Sequence, residues 1–393
     1  MSRTDATPTS LTDPAADPAA PTPGRARLEH LDGVRALAAL YVLLHHIWIT
    51  IWPAYPVNDG PVWVGWLLYG HLSVSVFIVV SGFSLAIAPA RSGWRLRGGV
   101  RTFVRRRAWR ILPTYWAALA FSCLVFGVVT ADLTGDKVSL KAVVVHGLLL
   151  QDVVNSPKPN GAFWSIAVEW QIYFLFPLML WVRRRFGTRG LVSLATVVVV
   201  GAYLGATTVE PLHRLLNLTP QFALLFAFGV AAATVLQSRV TPARRRGLSR
   251  VAVVGAGALV VGIGVLGSAR VDEQYFWVDL AAGAVTAVAL AALACGGLPR
   301  LCAVLGSRPL RSVGLFSYSV YCVHLPILWL VWHLWLASLR VSPMAHFLLL
   351  TGLGVPVALV GSWVFSLAFE KPFLTHRSFR DWQALLSRRT TRP

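Results

Sequence analysis

About ten apolar blocks, each close to twenty residues long, run through this 393-residue chain. A helix needs roughly 20 apolar residues to cross a bilayer. Hydrophobic residues make up 56% of the chain and charged residues 13%, a balance that excludes an ordinary soluble domain. The sequence therefore predicts an all-α polytopic membrane protein with about ten transmembrane helices. The predicted spans are 34–52, 71–89, 110–130, 163–182, 190–208, 219–237, 251–269, 276–296, 313–335 and 345–369.

The basic residues indicate which side of the membrane each loop faces. Alternating crossings place all but six of the 36 Lys and Arg residues on the side that holds both termini. The exceptions are Lys137, Lys141, Lys158, Arg214, Arg270 and Arg340. The positive-inside rule then predicts a multi-pass protein of the cell membrane with both termini cytosolic. Because this loop asymmetry accounts for the net charge of +20, nucleic acid is not an expected partner.

The segments outside the predicted spans suggest three parts. Residues 1–27, rich in Pro, Ala and Thr, are expected to be a disordered cytosolic tail without a cleaved signal peptide. Residues 28–373 form the predicted ten-helix membrane domain, and 374–393 a basic cytosolic tail. The apolar stretch 140–154 is short, so we expect it to be re-entrant or interfacial. The four cysteines show no metal-ligand or disulfide spacing, so we predict no metal site and no bound cofactor.

Arg35 and His46 lie in the first predicted span. An arginine and a histidine inside a membrane helix indicate a functional site, because hydrocarbon penalises polar groups that have no partner. Eleven residues at about 100° each return to within about 20° of the same helix face and separate the pair by about 16 Å. The two residues are therefore expected at different depths on one internal path, Arg35 near the cytosolic surface and His46 deep in the membrane.

A carboxylate is predicted at a depth similar to that of His46. Glu169 enters the fourth span from the opposite side, and Tyr173 follows it at i+4 on the same face. His324 also falls near mid-depth in the ninth span. A neutral histidine assisted by a carboxylate can remove a proton from a nucleophilic hydroxyl, so we assign His46, Arg35 and Glu169 as candidate catalytic residues.

The cytosolic end of the third span predicts a different chemistry. Arg107 and Arg110 share a helix face there, with Tyr115 one turn further on. Together with Arg35 at the same depth, they could bind an anion, since guanidinium groups bind phosphates in pairs. Coenzyme A is a cytosolic, phosphate-bearing acyl carrier, so Arg107, Arg110 and Tyr115 are candidate donor-binding residues, with acyl-coenzyme A as co-substrate.

Six segments, in order, resemble motifs of the integral-membrane acyltransferase-3 family of O-acyltransferases. The resemblance covers about residues 28–373 and begins with the arginine and histidine separated by ten residues. The segments are Arg35 to His46, Phe77-Ile78-Val79-Val80-Ser81-Gly82-Phe83, Arg107-Ala108-Trp109-Arg110, Trp164-Ser165-Ile166-Ala167-Val168-Glu169, Ser317 to His324, and Glu370-Lys371-Pro372-Phe373.

The resemblance implies ten helices, a cytosolic acyl-coenzyme A donor and transfer to a hydroxyl of a sugar or another glycosylated acceptor. It also implies that His46, Arg35 and the paired arginines are needed. His45 stands where the family more often has an apolar residue. We further expect a substrate path along Ser81, Trp164, Tyr173 and His324.

Other interpretations stay open. Most arginines between Arg91 and Arg110 can be topology signals alone, and His45, Glu169, His324 and Glu370 can be structural. Outer-surface aromatics can form a membrane belt or a sugar-stacking platform; they are Trp52, Tyr55, Trp63 and Trp66. A transporter or flippase of a glycolipid or metabolite competes with the acyltransferase. Within the enzyme class, a surface glycan competes with a macrolide-like metabolite as acceptor.

Overall fold

The computed structural model describes residues 28–130, 138–156, 159–237 and 239–375. Within these ranges every regular element is a helix, which confirms the predicted fold class. The predicted tail 1–27 and all but the first two residues of 374–393 lie outside the described residues.

The long helices lie in the order of the predicted spans. They are α1 (His30–Ile51), α2 (His71–Ala90), α3 (Gly99–Leu124), α5 (Trp164–Thr208), α7 (Pro242–Glu273), α8 (Tyr275–Ala294), α11 (Ser317–Val331) and α13 (Val355–Phe369). The shorter helices are α4 (Leu140–Gly147), α6 (Gln221–Ala232), α9 (Pro299–Leu305), α10 (Arg308–Leu315), α12 (Pro343–Leu349) and α14 (Lys371–Thr375). Helices of the 3₁₀ type are Val62–Tyr69, Gly161–Phe163, Glu210–Leu218 and Ala233–Gln237, and π-helical turns are Val125–Val129, Trp332–Leu336 and Leu350–Gly354.

Among the described residues, 8 helices are long and apolar enough to cross a membrane, or 9 if the bent pair Glu210–Leu218 and Gln221–Gln237 is one span. Two predicted spans, 163–182 and 190–208, lie in the single helical run Gly161–Thr208. Gly187 interrupts that run with non-helical angles of φ 76° and ψ −176°, a conformation that favours glycine. The predicted count of about ten is reached when the bent pair is counted as one span and the run is divided at Gly187.

The outward surface of these helices is apolar. On α7, for example, Val260, Val261 and Val265 are 65–81% exposed. Such a surface is stable only against lipid, which agrees with a membrane-spanning bundle. The segment expected to be re-entrant begins with α4, whose eight residues extend only about 12 Å and are followed by turns. It is therefore too short to cross a core of about 30 Å.

The start of α1 is held tightly against the following elements. Gly314 in α10 touches α1 so closely that a Cβ atom on it would lie 2.0 Å from the backbone oxygen of Asp32. In turn, a Cβ on Gly33 would lie 2.0 Å from the backbone oxygen of Leu305. The absence of side chains at both positions lets these helices approach to backbone contact. This close packing fixes the position of Arg35, one turn further along α1.

Candidate active site

A cavity of about 540 Å³, which we call the arginine cavity, opens where α1 and α3 begin and where α2 and α13 end. Consecutive crossing helices run in opposite directions, so these ends share one side of the bundle. The structure brings together the predicted Arg35, Arg107 and Arg110 in its wall. Its ionisable lining residues are Arg35, Arg91, Arg107, Arg110, Asp32, Glu169, Glu370, Tyr173, Tyr318 and Tyr321.

The arginines of this cavity differ in how their donors are used. Arg35 donates from Nη1 to Asp32 Oδ1 at 3.3 Å and from Nη2 to Ser84 Oγ at 2.7 Å. Arg110 is exposed at the mouth. The Nε of Arg107 is buried and has no hydrogen-bond partner among the described residues. Because an unpaired buried donor costs free energy, an anionic ligand at this position would be stabilising.

Glu169 lies in the wall of the arginine cavity and bonds to Tyr173. The Tyr173 hydroxyl donates to Glu169 Oε1 at 2.6 Å. Ser81 Oγ lies 3.2 Å from the same hydroxyl and, since Tyr173 has only one proton to give, Ser81 is the donor there. No described hydrogen bond joins Glu169 to His46. The carboxylate expected to orient His46 therefore faces the arginines, whose charge it partly balances.

The deep end of the arginine cavity is closed by a pair of hydroxyls. Ser165 Oγ and Tyr321 Oη lie 2.5 Å apart, and both residues line the cavity. The Tyr321 ring is 6.0 Å from the ring of His324, on the same helix. Tyr321 therefore links the end of the cavity to His324, which in turn contacts the predicted catalytic residue His46.

His46 is paired with His324. The Nδ1 atom of His46 lies 3.2 Å from His324 Nε2 and 2.9 Å from the Val42 carbonyl oxygen. His324 is buried, and its Nδ1 lies 3.0 Å and 2.9 Å from the carbonyl oxygens of Val320 and Tyr321. The sequence placed His324 on a substrate path, whereas the structure places it against the His46 ring.

These contacts select one tautomer for each neutral ring. Carbonyl oxygens only accept hydrogen bonds, so His324 carries its proton on Nδ1 and presents a bare Nε2. His46 Nδ1 then faces two acceptors and carries the proton itself. The lone pair of His46 is left on Nε2, the atom that a general base needs.

A second cavity, of about 340 Å³, lies at the opposite end of α2, and we call it the outer cavity. His71 opens α2 here, whereas Arg91, just after its last residue, lines the arginine cavity. Trp164, predicted to lie on a substrate path, lines the outer cavity and stacks on His71 with ring centroids 5.5 Å apart. His45 connects this region to His46, since its ring is 5.3 Å from His46 and 5.8 Å from Tyr55 in the outer cavity wall.

Two cavities at opposite ends of one helix, with a histidine pair between them, suit the transfer of a group from one side to the other. A sequence model described as an acyltransferase domain matches residues 28–367. The chain belongs to the acyltransferase-3 family.

Relatives of this acyltransferase domain share about a quarter of its residues. It is 28% identical over 322 residues to the acyltransferase MdmB of Streptomyces mycarofaciens, covering 77% of this chain and 79% of that protein. It is 25% identical over 321 residues to the peptidoglycan O-acetyltransferase OatA of Listeria monocytogenes, covering 76% of this chain and 49% of that protein. It is 27% identical over 325 residues to YrhL of Bacillus subtilis, covering 76% of this chain and 48% of that protein. The chain thus spans about half the length of OatA and YrhL. No solved structure matches it.

Tyr115 does not reach the arginine cavity. It is fully buried, its hydroxyl donates to the His146 carbonyl oxygen at 3.0 Å, and its ring lies 4.9 Å from that of Phe163. In the acyltransferase domain this tyrosine anchors α4 to α3. The side of α3 that carries Tyr115 is turned away from Arg107 and Arg110, so the structure does not support the expected contact of Tyr115 with the donor.

Sequence reasoning missed an ion pair in the outer cavity. Asp279 of α8 lies 3.0 Å from His71 Nε2 and is fully buried. A carboxylate within the predicted span 276–296 was the available signal, because such residues are rarely without function in membrane helices. Among the described residues, no group of three or more His, Cys, Asp or Glu side chains could hold a metal ion.

Proposed function

We propose that this acyltransferase moves an acetyl or other short acyl group from acyl-coenzyme A, bound at the arginine cavity, to a hydroxyl of a carbohydrate or glycosylated small molecule. The observation that supports the proposal is the His46–His324 pair. It lines neither cavity, but it is linked to the arginine cavity through Tyr321 and to the outer cavity through His45 and Tyr55. The positive-inside rule predicts that the arginine cavity faces the cytosol, where acyl-coenzyme A is found.

The arginine cavity supplies the donor site. Guanidinium groups bind phosphates through paired charged hydrogen bonds, and the unpaired Nε of Arg107 offers one such donor. The thioester end then extends past Glu169 and Tyr173 toward Ser165 and Tyr321. In this arrangement Glu169 balances the arginine charge in the absence of donor.

His46 acts as the general base. Its Nε2 accepts the proton of the acceptor hydroxyl while the hydroxyl oxygen attacks the thioester carbonyl carbon, forming a tetrahedral intermediate. The carbon–sulfur bond breaks, the His46 imidazolium returns the proton to the departing thiolate, and coenzyme A leaves on the side from which it came. His324 accepts a hydrogen bond from His46 Nδ1 throughout and so holds the ring and stabilises its cationic form.

The relatives favour a glycan as acceptor. The name of OatA describes peptidoglycan O-acetylation, which is acylation of a polymeric sugar hydroxyl. MdmB, which this chain covers over most of its length, is named only as an acyltransferase. For this chain we therefore propose a sugar hydroxyl, in a surface glycan or in a macrolide-like glycosylated metabolite. Family membership removes the reason to propose a transporter.

Transfer across the bilayer gives the decisive experiment. The full chain is reconstituted in proteoliposomes, radiolabelled acetyl-coenzyme A is supplied on one side at a time, and a cell-wall glycan digest is supplied on the other. We expect labelled glycan only when donor is on the arginine-cavity side. Labelled product from donor on the outer side would overturn the proposed direction of transfer.

The acceptor and the covalent course need separate measurements. Mass spectrometry of surface glycans and secreted metabolites from a deletion strain should reveal the missing acyl ester. Incubation with donor alone should leave the protein unlabelled after denaturation, as direct transfer requires. A stable acyl group on His46 would instead establish an acyl-enzyme route.

A further inference from the structure

The outer cavity has a lining unlike that of the arginine cavity. No lysine or arginine is among the described residues that line it. Its ionisable lining residues are Tyr55, Tyr69, His71, Asp272, Tyr275 and Asp279. With two carboxylates and one histidine, the cavity is acidic or neutral and rich in aromatic rings. Aromatic faces and carboxylate acceptors are the groups that bind the apolar face and the hydroxyls of a sugar ring.

Asp279 is a fixed part of this wall. Its Oδ1 accepts from Ser75 Oγ at 2.6 Å, and its Oδ2 accepts from His71 Nε2 at 3.0 Å and from Gln221 Nε2 at 3.1 Å. Three donors on a fully buried carboxylate hold it rigidly. Asp279 therefore orients His71, and His71 in turn supports the face of Trp164 at an interplanar angle of 7°.

Asp272 is the carboxylate of this cavity that retains binding capacity. Its Oδ1 accepts from the Tyr55 hydroxyl at 2.7 Å, which joins the segment before α2 to the end of α7. Its Oδ2 has no hydrogen-bond partner among the described residues, and the side chain is only partly buried. A partly exposed carboxylate beside Tyr55 and Tyr275 suits a sugar hydroxyl or a protonated amine.

The outer cavity is close to the catalytic histidine. His45 packs between Tyr55 of the cavity wall and His46, and its Nδ1 donates to the Leu67 carbonyl oxygen at 2.9 Å. Gly70, between the lining residues Tyr69 and His71, lies so near that a Cβ on it would be 2.2 Å from the His45 ring. The His45 ring therefore separates the wall of the outer cavity from His46, and the reacting hydroxyl of a sugar seated there has to extend past His45 to reach His46 Nε2.

We propose that the outer cavity binds the sugar of the acceptor, and that it takes neutral sugars and amino sugars while excluding sugars that carry a carboxylate. Asp272 binds the hydroxyl or amino groups of the sugar, and the apolar face of the sugar ring stacks on Trp164. This inference rests on the proposed function, because it treats the bound sugar as the acyl acceptor. The exclusion follows from charge, since an anionic sugar would be placed beside Asp272 and Asp279 without a lysine or arginine to compensate.

The test uses three probes that differ in charge and little else: methyl glucoside, methyl glucosaminide and methyl glucuronide. Their binding to the full chain in nanodiscs is measured by saturation-transfer NMR without donor, so that the readout does not depend on catalysis. We expect the first two to bind and the glucuronide to bind at least about tenfold more weakly, because its carboxylate is repelled by Asp272 and Asp279. Failure of all three to bind, or equal binding of the glucuronide, would overturn the proposal.

A matched pair of variants tests the role of Asp272. Asp272→Asn should weaken glucosaminide binding by about tenfold and reduce the discrimination against glucuronide, because its charge is removed with little change of shape. Glu273→Gln removes the neighbouring exposed carboxylate, which does not line the cavity, and should change neither quantity. Equal effects of the two variants would overturn the assignment.

The same probes separate this inference from the proposed function. If the charge pattern of binding holds but labelled acetyl-coenzyme A transfers nothing to any acceptor, the site stands and the proposed activity fails. If transfer to a glycan occurs and Asp272→Asn leaves its acceptor KM unchanged, the activity stands and the acceptor site lies elsewhere.

Discussion

The arginine cavity and the outer cavity lie at opposite ends of α2 and have opposite electrostatic character. The first is lined by four arginines and three carboxylates, the second by two carboxylates, one histidine and aromatic rings. A polyanionic donor is attracted to one and repelled by the other. For the proposed transfer, this difference means that charge can keep the donor and the acceptor in separate cavities, with the histidine pair linked to both.

The largest expected effect concerns the group between the two cavities. His46→Ala should lower acyl transfer by at least 10²–10⁴, the usual contribution of general-base catalysis, while donor binding at the arginine cavity is retained. Transfer is measured with labelled acetyl-coenzyme A, and donor binding by isothermal titration. His213→Ala, which removes an exposed histidine outside both cavities, is the control. Normal activity of a correctly inserted His46→Ala protein would refute the assignment of the base.

A smaller effect is expected for donor recognition. Arg107→Ala should raise the donor Kd by about 10- to 100-fold, because each lost charged hydrogen bond is worth roughly 1.5–3 kcal/mol. Arg107→Lys should recover only part of this, since lysine lacks the planar donor fork. Arg105→Ala removes an exposed arginine of the same helix that does not line the cavity. Equal donor affinity in the two alanine variants would reduce Arg107 to a topology signal.

The histidine partner should matter less than the base itself. His324→Ala should lower kcat about tenfold and leave the donor KM unchanged, because His46 then loses one acceptor at Nδ1 but keeps the Val42 carbonyl. His324→Gln can present an amide oxygen to Nδ1 and should restore part of kcat. A change confined to KM, or equal loss in both variants, would show that His324 only fills space.

The assignment of sides can be tested without any effect on rate. Asn155→Cys, in the turns after α4, should be labelled by an impermeant maleimide from outside intact cells, and Arg184→Cys in α5 only after lysis. The wild-type chain, with its four free cysteines, gives the background. Labelling of both variants from the same side would mean that the two cavities do not open on opposite sides of the membrane.

Sequence predicted the arginine cavity better than the catalytic centre. Arg35, Arg107 and Arg110 could be grouped because helix ends on one side of a bilayer share a depth, and depth follows from residue count. Depth does not give the rotation of one helix about its axis relative to another. For that reason the sequence pairs Glu169 with His46, although Glu169 faces Tyr173, and it assigns Tyr115 to the donor site, although Tyr115 faces α4.

Long-range packing accounts for the remaining differences. His324 meets His46 because α1 packs against α11, which are separated by more than 250 residues of chain, and no local pattern encodes that contact. Asp279 could have been recognised as a polar residue in a predicted span, but its partners His71, Ser75 and Gln221 come from two other helices. The fold class depends on composition and block length, which a single sequence does reveal.

The hydrogen bond from Tyr55 to Asp272 links two stretches of chain that carry none of the proposed catalytic residues. The segment between α1 and α2 and the end of α7 can therefore be exchanged as a pair, while Arg35, His46 and His324 stay on helices that the exchange does not touch. Chimeras that receive both segments from a relative should acquire the acceptor preference of that relative. Chimeras that receive only one segment should lose the hydrogen bond between Tyr55 and Asp272. An enzyme built in this way can change what it modifies without changing how it reacts.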